Sequence, residues 1–411
     1  MTSCAIEPAA ADAEDRGPEA GCVITADGAY AARLARSGDS WFPERWTLDG
    51  PEPYAVPLPG NQPEEPGTEV QPLADGRVLI SRHTDGRQMF SLLYPTGPGT
   101  GELLLGTVEG RPRLLPPAPG GDRAYALLVG PGSSEVWLVA GGAFGPELVA
   151  EIPGRCSGGI WLDRAGRLLA LDREVAGLTK TVVVDLARGG EVSPLLQIAT
   201  HSDDRLLCAD PDSGLLLIGS DAPSPGVERL GWGVLGSMLP VRFPECLRGE
   251  GCAVTPFAIQ PGQVLTPESC AVALRVDGPV GSWVGVWRPA ERRVRHLAPP
   301  LGWLTGSGLW TVEGVLRLPY ATEDAPCGVA EWPASWLESG GTTGSTRAAG
   351  ATGPLDPVRD GTGAPELSLH SGVSPDSGDA PGEPSEPAPP APAAPRPVPL
   401  REAPLGRLVT K

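Results

Sequence analysis

Seven glycine turns at nearly constant spacing constrain this chain more than any other feature. The clearest sits in Trp161-Leu162-Asp163-Arg164-Ala165-Gly166-Arg167-Leu168-Leu169-Ala170-Leu171, where one apolar run enters a polar turn and a second leaves it. Glycine supplies the positive φ that a tight hairpin needs without a Cβ penalty. The related turns close on Gly28, Gly76, Gly121, Gly214, Gly262 and Gly314, and the seven glycines are separated by 48, 45, 45, 48, 48 and 52 residues. Four short strands with their turns occupy about that length, which is one propeller blade.

Each interval reads as four strands. The third gives Arg123–Gly130, Glu135–Ala140 and Glu147–Ile152, and Gly159–Asp163 opens the fourth. The fourth continues through Arg167–Asp172, Thr181–Leu186 and Glu191–Ile198. The first blade takes Cys22–Ala26, Ala29–Arg36, Trp41–Leu48 and Tyr54–Leu58, and the second Glu69–Leu73, Arg77–Arg82, Gln88–Tyr94 and Glu102–Val108. The fifth runs from Leu206 to Phe243. The sixth runs from Val254 to Leu297, with a longer stretch, Thr266–Ser282, between its second and third strands. The seventh offers Leu309–Val312, Val315–Pro319 and Gly328–Trp332. Runs such as Thr181-Val-Val-Val are continuous and β-branched, as suits strands covered on both faces. Gly 56 and Pro 49 make about a quarter of the chain and disfavour long helices. The expected fold is all-β: a seven-bladed β-propeller followed by a disordered Pro/Gly-rich C-terminal tail.

The expected domain organisation is an acidic N-terminal segment (1–21), the propeller (22–337), a disordered Gly/Ser/Pro-rich tether (338–395) and a C-terminal segment (396–411). The tether lacks the apolar content that ordering requires. Blade seven shows no fourth strand before residue 340. Arg396–Leu400, in Arg-Pro-Val-Pro-Leu, shares a rhythm with Tyr54-Ala-Val-Pro-Leu-Pro and Val294-Arg-His-Leu-Ala-Pro-Pro and could return to supply it, with Thr2–Ile6 as competitor. A wholly disordered tail is the other reading. An open edge strand would be an aggregation hazard.

A net charge of −18 argues against nucleic acid, which is held by clustered Lys and Arg, and against anionic membrane surfaces. Lysine occurs only at Lys180 and Lys411 and asparagine only at Asn61, the bias of a GC-rich genome. No stretch approaches the ~18 apolar residues of a membrane span. Met1–Gly21 has neither the basic start nor the apolar run of a secretory signal, so cytoplasmic residence is expected. The eight cysteines lack zinc-knuckle spacing. Buried thiols are expected of a reducing compartment, although the close Cys246/Cys252 pair leaves a disulfide open.

Motifs that could carry chemistry yield none. Gly231-Trp-Gly-Val-Leu-Gly236 spells the dinucleotide fingerprint, but Pro240 follows too soon for the required helix. Asp210-Pro-Asp-Ser-Gly214 lacks the further acidic ligands of a calcium loop and reads as turn chemistry. His83, His201 and His296 find no favoured serine or acid, and His201-Ser-Asp-Asp204 reads as a solvated turn between blades four and five. Of eleven tryptophans, Trp137, Trp161, Trp287 and Trp310 sit mid-strand and read as inter-blade packing. Some of the rest could anchor a partner.

The turns Leu73-Ala-Asp-Gly-Arg-Val-Leu-Ile and Trp161-Leu-Asp-Arg-Ala-Gly-Arg-Leu-Leu-Ala resemble those of WD40-like and TolB-like β-propellers over about Cys22–Trp336. The Gly-His and Trp-Asp signatures of true WD40 repeats are absent, so the resemblance carries no partner set. The chain also resembles propeller-like proteins of high-GC actinobacteria, a comparison that implies no activity. The expected function is a non-enzymatic scaffold or partner-binding module: a monomer with a protein partner and no cofactor, metal or catalytic residue. The alternative is an enzyme or small-ligand binder with its site at the channel mouth, and fold alone does not choose between them.

Overall fold

The computed structural model describes residues 21–333, apart from 98, 250 and 263–265. The acidic start, the tether and the C-terminal segment lie outside the described residues, as do both candidate closing strands. All described residues belong to one compact unit.

The chain meanders through antiparallel ladders. The first contains β1 (Val23–Ile24), β2 (Tyr30–Ser37), β3 (Ser40–Thr47) and β4 (Tyr54–Pro57). The second contains β5 (Glu69–Pro72), β6 (Val78–Thr84), β7 (Arg87–Pro95) and β8 (Thr100–Glu109). The third contains β9 (Arg113–Leu114), β10 (Ala124–Val129), β11 (Ser133–Ala140) and β12 (Glu147–Pro153). A seven-stranded sheet follows. It divides at the single parallel bridge Lys180↔Asp204 into a fourth ladder and a fifth. The fourth has β13 (Arg155–Trp161), β14 (Leu168–Val175), β15 (Leu178–Asp185) and β16 (Glu191–Pro194). The fifth has β17 (Asp204–Ala209), β18 (Leu215–Ser220) and β19 (Arg229–Val234). The sixth contains β20 (Ala253–Ile259), β21 (Val272–Gly278), β22 (Gly281–Trp287) and β23 (Arg295–Leu297). The last contains β24 (Leu309–Trp310), β25 (Val315–Tyr320) and β26 (Gly328–Pro333). Each repeat glycine falls between the first and second strands of one ladder.

The core is distributed over seams between consecutive ladders. Leu58 and Ala32 pack on Val70, Ile80 and Leu93; Phe90 and Leu79 on Ala126 and Val139; Val136 and Ile152 on Trp161 and Leu169. Val183 and Leu162 meet Leu206 and Ile218, Trp232 and Leu217 meet Trp287 and Val272, and Val284 meets Trp310 and Leu318. The seventh seam brings the ends together. Cys22, Ala31 and Trp46 of the first ladder pack with Ala321, Cys327 and Val329 of the last. Ser307 Oγ reinforces it, accepting from the Cys22 amide (3.1 Å) and donating to the Cys22 carbonyl (2.8 Å). The circle of contacts closes.

The boundaries differ most from expectation in the fourth and sixth ladders, where the second and third strands of the fourth also run three residues further, to Val175 and from Leu178. The first strand of the fourth ladder begins at Arg155 and passes through a bulge at Gly158–Gly159, whose backbone (φ 75° and 136°) breaks the pairing between Ser157 and Ile160. Its last strand stops at Pro194, because the amides of Leu195 and Leu196 both turn to the Thr181 carbonyl (3.0 and 3.1 Å). In the sixth ladder the extra length lies between the first and second strands, where Pro267–Ser269 forms a 3₁₀ turn. The second and third strands are joined by a tight turn at 279–280. The proline at 267 and the apolar run Ala271–Leu274 carried that information, since a run of four apolar residues suits a strand better than a loop.

One hairpin glycine also permits a close approach between two ladders. Gly121 has φ +69°, and a Cβ there would lie 2.5 Å from the Ala74 Cβ of the preceding ladder. Gly38, also at positive φ (+61°), has nothing within 4 Å of that position. Gly38→Ala should therefore lose only the ~1–2 kcal/mol of a left-handed alanine. Gly121→Ala should lose a further ~1–3 kcal/mol to overpacking. Denaturant unfolding of the two variants checks the difference.

Candidate functional site

The densest polar cluster lies on the seam between the fourth and fifth ladders. The β-branched run of β15 forms a strand covered on both faces, with Thr179 and Thr181 buried and Lys180 between them partly buried. The chain then leaves β16, turns at residues 199–203 and enters β17 with Asp204, whose side chain is fully buried. All four donor positions around the Asp204 carboxylate are filled. Oδ1 accepts from Ser202 Oγ (2.8 Å) and Ser220 Oγ (2.6 Å), and Oδ2 from Lys180 Nζ (2.6 Å) and the Ile198 amide (2.9 Å). Lys180 Nζ also donates to the Ala199 carbonyl (2.6 Å) and approaches Ser202 Oγ (3.3 Å).

Asp172 on β14 stands beside this group and is 6% exposed. Its Oδ1 accepts from Thr181 Oγ (2.7 Å) and from the Leu206 amide of the fifth ladder (3.0 Å). Its Oδ2 faces the glycine bulge, where a Cβ on Gly158 would approach to 3.3 Å. Burial pushes the Asp172 carboxyl above the ordinary range, outweighing the opposing pull of the Thr181 hydroxyl and the Leu206 amide. Chemically the cluster is a clamp. The Lys180 protons and the Asp204 lone pairs are all committed to neighbours.

The histidines singled out in the sequence stay apart. His83, on β6, is exposed and receives Arg111 Nε at 3.3 Å. His296, on β23, accepts from Trp283 Nε1 (2.8 Å), and the two rings meet nearly edge-on at 6.1 Å beside a shallow hollow with Leu297 and Ala298. His201 is exposed, but the reading of its whole tetrapeptide as a solvated turn is overturned. Ser202 is 4% and Asp204 0% exposed, because the turn delivers both into the clamp. The available signal was Lys180: a lone lysine in an arginine-rich core sequence needs a buried acid.

The other motifs resolve as local structure. Gly231-Trp-Gly-Val-Leu-Gly236 lies on β19 and the turn after it. A Cβ on Gly231 would strike the Phe243 ring at 2.7 Å, while Trp232 bridges to Arg242. Asp210 Oδ2 accepts from the Ser213 amide (2.9 Å) and hydroxyl (2.6 Å), and Asp212 takes a two-pronged contact from Arg164 of the neighbouring ladder. Among the described residues no group of three or more His, Cys, Asp or Glu side chains is arranged to hold a metal ion. Cys22, Cys156, Cys208, Cys246, Cys252 and Cys327 are unbridged. Burial pushes the Cys22, Cys208 and Cys327 thiols up to about 12, far from nucleophilic readiness.

No protein-family model matches the chain, and no curated protein does. Among solved structures, puromycin hydrolase is similar over 77% of this chain and 52% of its own, at 16% identity and a TM-score of 0.50. TolB from Acinetobacter baumannii is similar over 74% of this chain and 76% of its own, at 11% identity and a TM-score of 0.41. Prolyl oligopeptidase B from Galerina marginata is similar over 76% of this chain and 48% of its own, at 10% identity and a TM-score of 0.48. The fold is of the β-propeller type. The chain spans about half the length of the hydrolase and of the oligopeptidase, and at these identities the likeness concerns fold alone.

Two measurements test the clamp. Lys180→Ala strands the Asp204 carboxylate without its cation and should cost about 3 kcal/mol of stability. Adding Asp204→Asn should recover part of that loss in the same guanidinium titration. Asp172 binds its proton more tightly folded than unfolded, so its contribution is full at low pH and declines as pH rises through its elevated titration range. Asp172→Asn, permanently neutral, should match the parent near pH 4 and exceed it in unfolding free energy at pH 7.

Proposed function

We propose that the ladders are the seven blades of one closed propeller, of the TolB-like kind, and that the protein is a non-enzymatic partner-binding module. The observation that carries this reading is a set of exposed large apolar side chains on the outermost strands of the second and third ladders and the loop beside them. Phe144 is 96% exposed, Leu104 59%, Leu103 50% and Leu148 50%. The loop bearing Phe144 lies against β8: a Cβ on Gly106 would come within 2.7 Å of Pro146, and one on Gly145 within 2.7 Å of the Leu105 carbonyl. Large side chains that a fold leaves in water are the anchors of protein interfaces. Acids at Glu102, Glu109, Glu147 and Glu151 surround these positions in sequence, and the whole chain carries −18. The partner that fits is a protein with an apolar contact rimmed by basic groups, and nucleic acid is disfavoured by the same charge.

Monomeric state and cytoplasmic residence belong to this proposal, and the unbridged cysteines suit the second. No helix among the described residues is long and apolar enough to cross a membrane. An origin in a high-GC actinobacterium rests on the arginine, alanine, glycine and proline bias.

The test is affinity capture from the native cell with the parent and with a Leu104→Asp/Phe144→Asp variant. The parent should retain a protein that the variant loses at least tenfold. Capture of nothing by the parent, together with a metabolite that raises the melting temperature, would favour the small-ligand reading at the channel mouth.

A further inference from the structure

The last ladder is one strand short. β26 (Gly328–Pro333) pairs with β25, and among the described residues its other edge has no ladder partner, while five of the other ladders carry four strands. In an antiparallel ladder alternate amides point to opposite neighbours, so about half of the β26 amides depend on a fourth strand. An unpaired edge at the closing seam invites pairing with other chains.

Two ladders show what their outermost strand looks like in sequence. β4 is Tyr54-Ala-Val-Pro57 and β16 is Glu191-Val-Ser-Pro194, each four residues long and ending on proline. The next residue is in both cases a leucine turned fully inward, Leu58 at 0% and Leu195 at 1% exposure. In both, the leucine amide bonds back to the third strand, Leu58 to the Pro43 carbonyl (2.8 Å) and Leu195 to the Thr181 carbonyl (3.0 Å). Each leucine then wedges into the seam with the following ladder. Proline suits the position, because an outermost strand needs no donor on its solvent side.

The tripeptide Val-Pro-Leu occurs twice in the chain, at 56–58 and at 398–400. We propose that Arg396–Leu400 is the fourth strand of the last ladder, laid antiparallel on β26, with Leu400 entering the seam between the last ladder and the first beside Trp46 and Val329. The 62 residues from 334 to 395 far exceed the few needed to reverse direction, and their Pro/Ala/Gly composition suits a tether. This goes beyond the partner-binding reading and does not depend on it.

Hydrogen exchange on the full-length protein tests the assignment. In the parent, the edge-facing amides of Gly328–Pro333 should be protected. Leu400→Asp should speed their exchange at least tenfold, while β10 (Ala124–Val129) and a Leu367→Asp control in the tether stay unchanged. If Leu400→Asp unfolds β10 as well, the milder Leu400→Ala decides by the same readout. Unprotected β26 amides in the parent would overturn the proposal, as would exchange indifferent to Leu400. A response to Ile6→Asp without one to Leu400 would overturn it in favour of the N-terminal segment.

Discussion

No ladder in this protein can bury its apolar side chains by itself. Each is a sheet one layer deep, and its core faces are covered only where a neighbour lies against them. The seams share the task in turn: Val183 against Ile218, Trp232 against Trp287, Trp46 against Val329. Stability on this plan belongs to the circuit. The end ladders would expose a face each if the circuit were open, so the contacts of Cys22 and Ser307 bear on every other seam.

This constraint explains which parts of the fold were legible. The hairpin glycines recur because every such turn takes a positive φ, and at Gly121, beside Ala74, and Gly28, beside Leu309, the turn also comes close to another ladder. Continuous apolar runs marked strands covered on both faces, and most boundaries in the first three ladders fall within two residues of expectation. The exceptions have local causes. The bulge at Gly158–Gly159 adds residues to a strand without altering its hydrophobic pattern, and the amides of Leu195 and Leu196 leave the ladder for a carbonyl that sequence does not point to.

The clamp was less legible because it depends on distance across a seam. His201-Ser-Asp-Asp204 has the composition of a wet turn, and nothing within four residues says that Asp204 meets Lys180, 24 residues earlier. Burial also reverses ordinary expectation for Asp172, a carboxyl that directly follows the apolar run Leu168–Leu171. Such groups usually suggest catalysis. Here each hydrogen bond of the cluster runs to a neighbouring strand or to the turn that joins the two ladders. The polar cluster fixes the relative placement of two sheets that apolar packing alone would let slide.

The choice of lysine at that point has a consequence for how the protein meets its surroundings. Every other cation of the described residues is an arginine, so Nζ of Lys180 is their one side-chain amine, and it is occupied by Asp204 and the Ala199 carbonyl. Acylating enzymes, amine-directed conjugation systems and reagents that seek a primary amine therefore find no open target among these residues while they stay folded. Opening of the seam between the fourth and fifth ladders would expose one. Acylation at Lys180 would thus report that two sheets had separated.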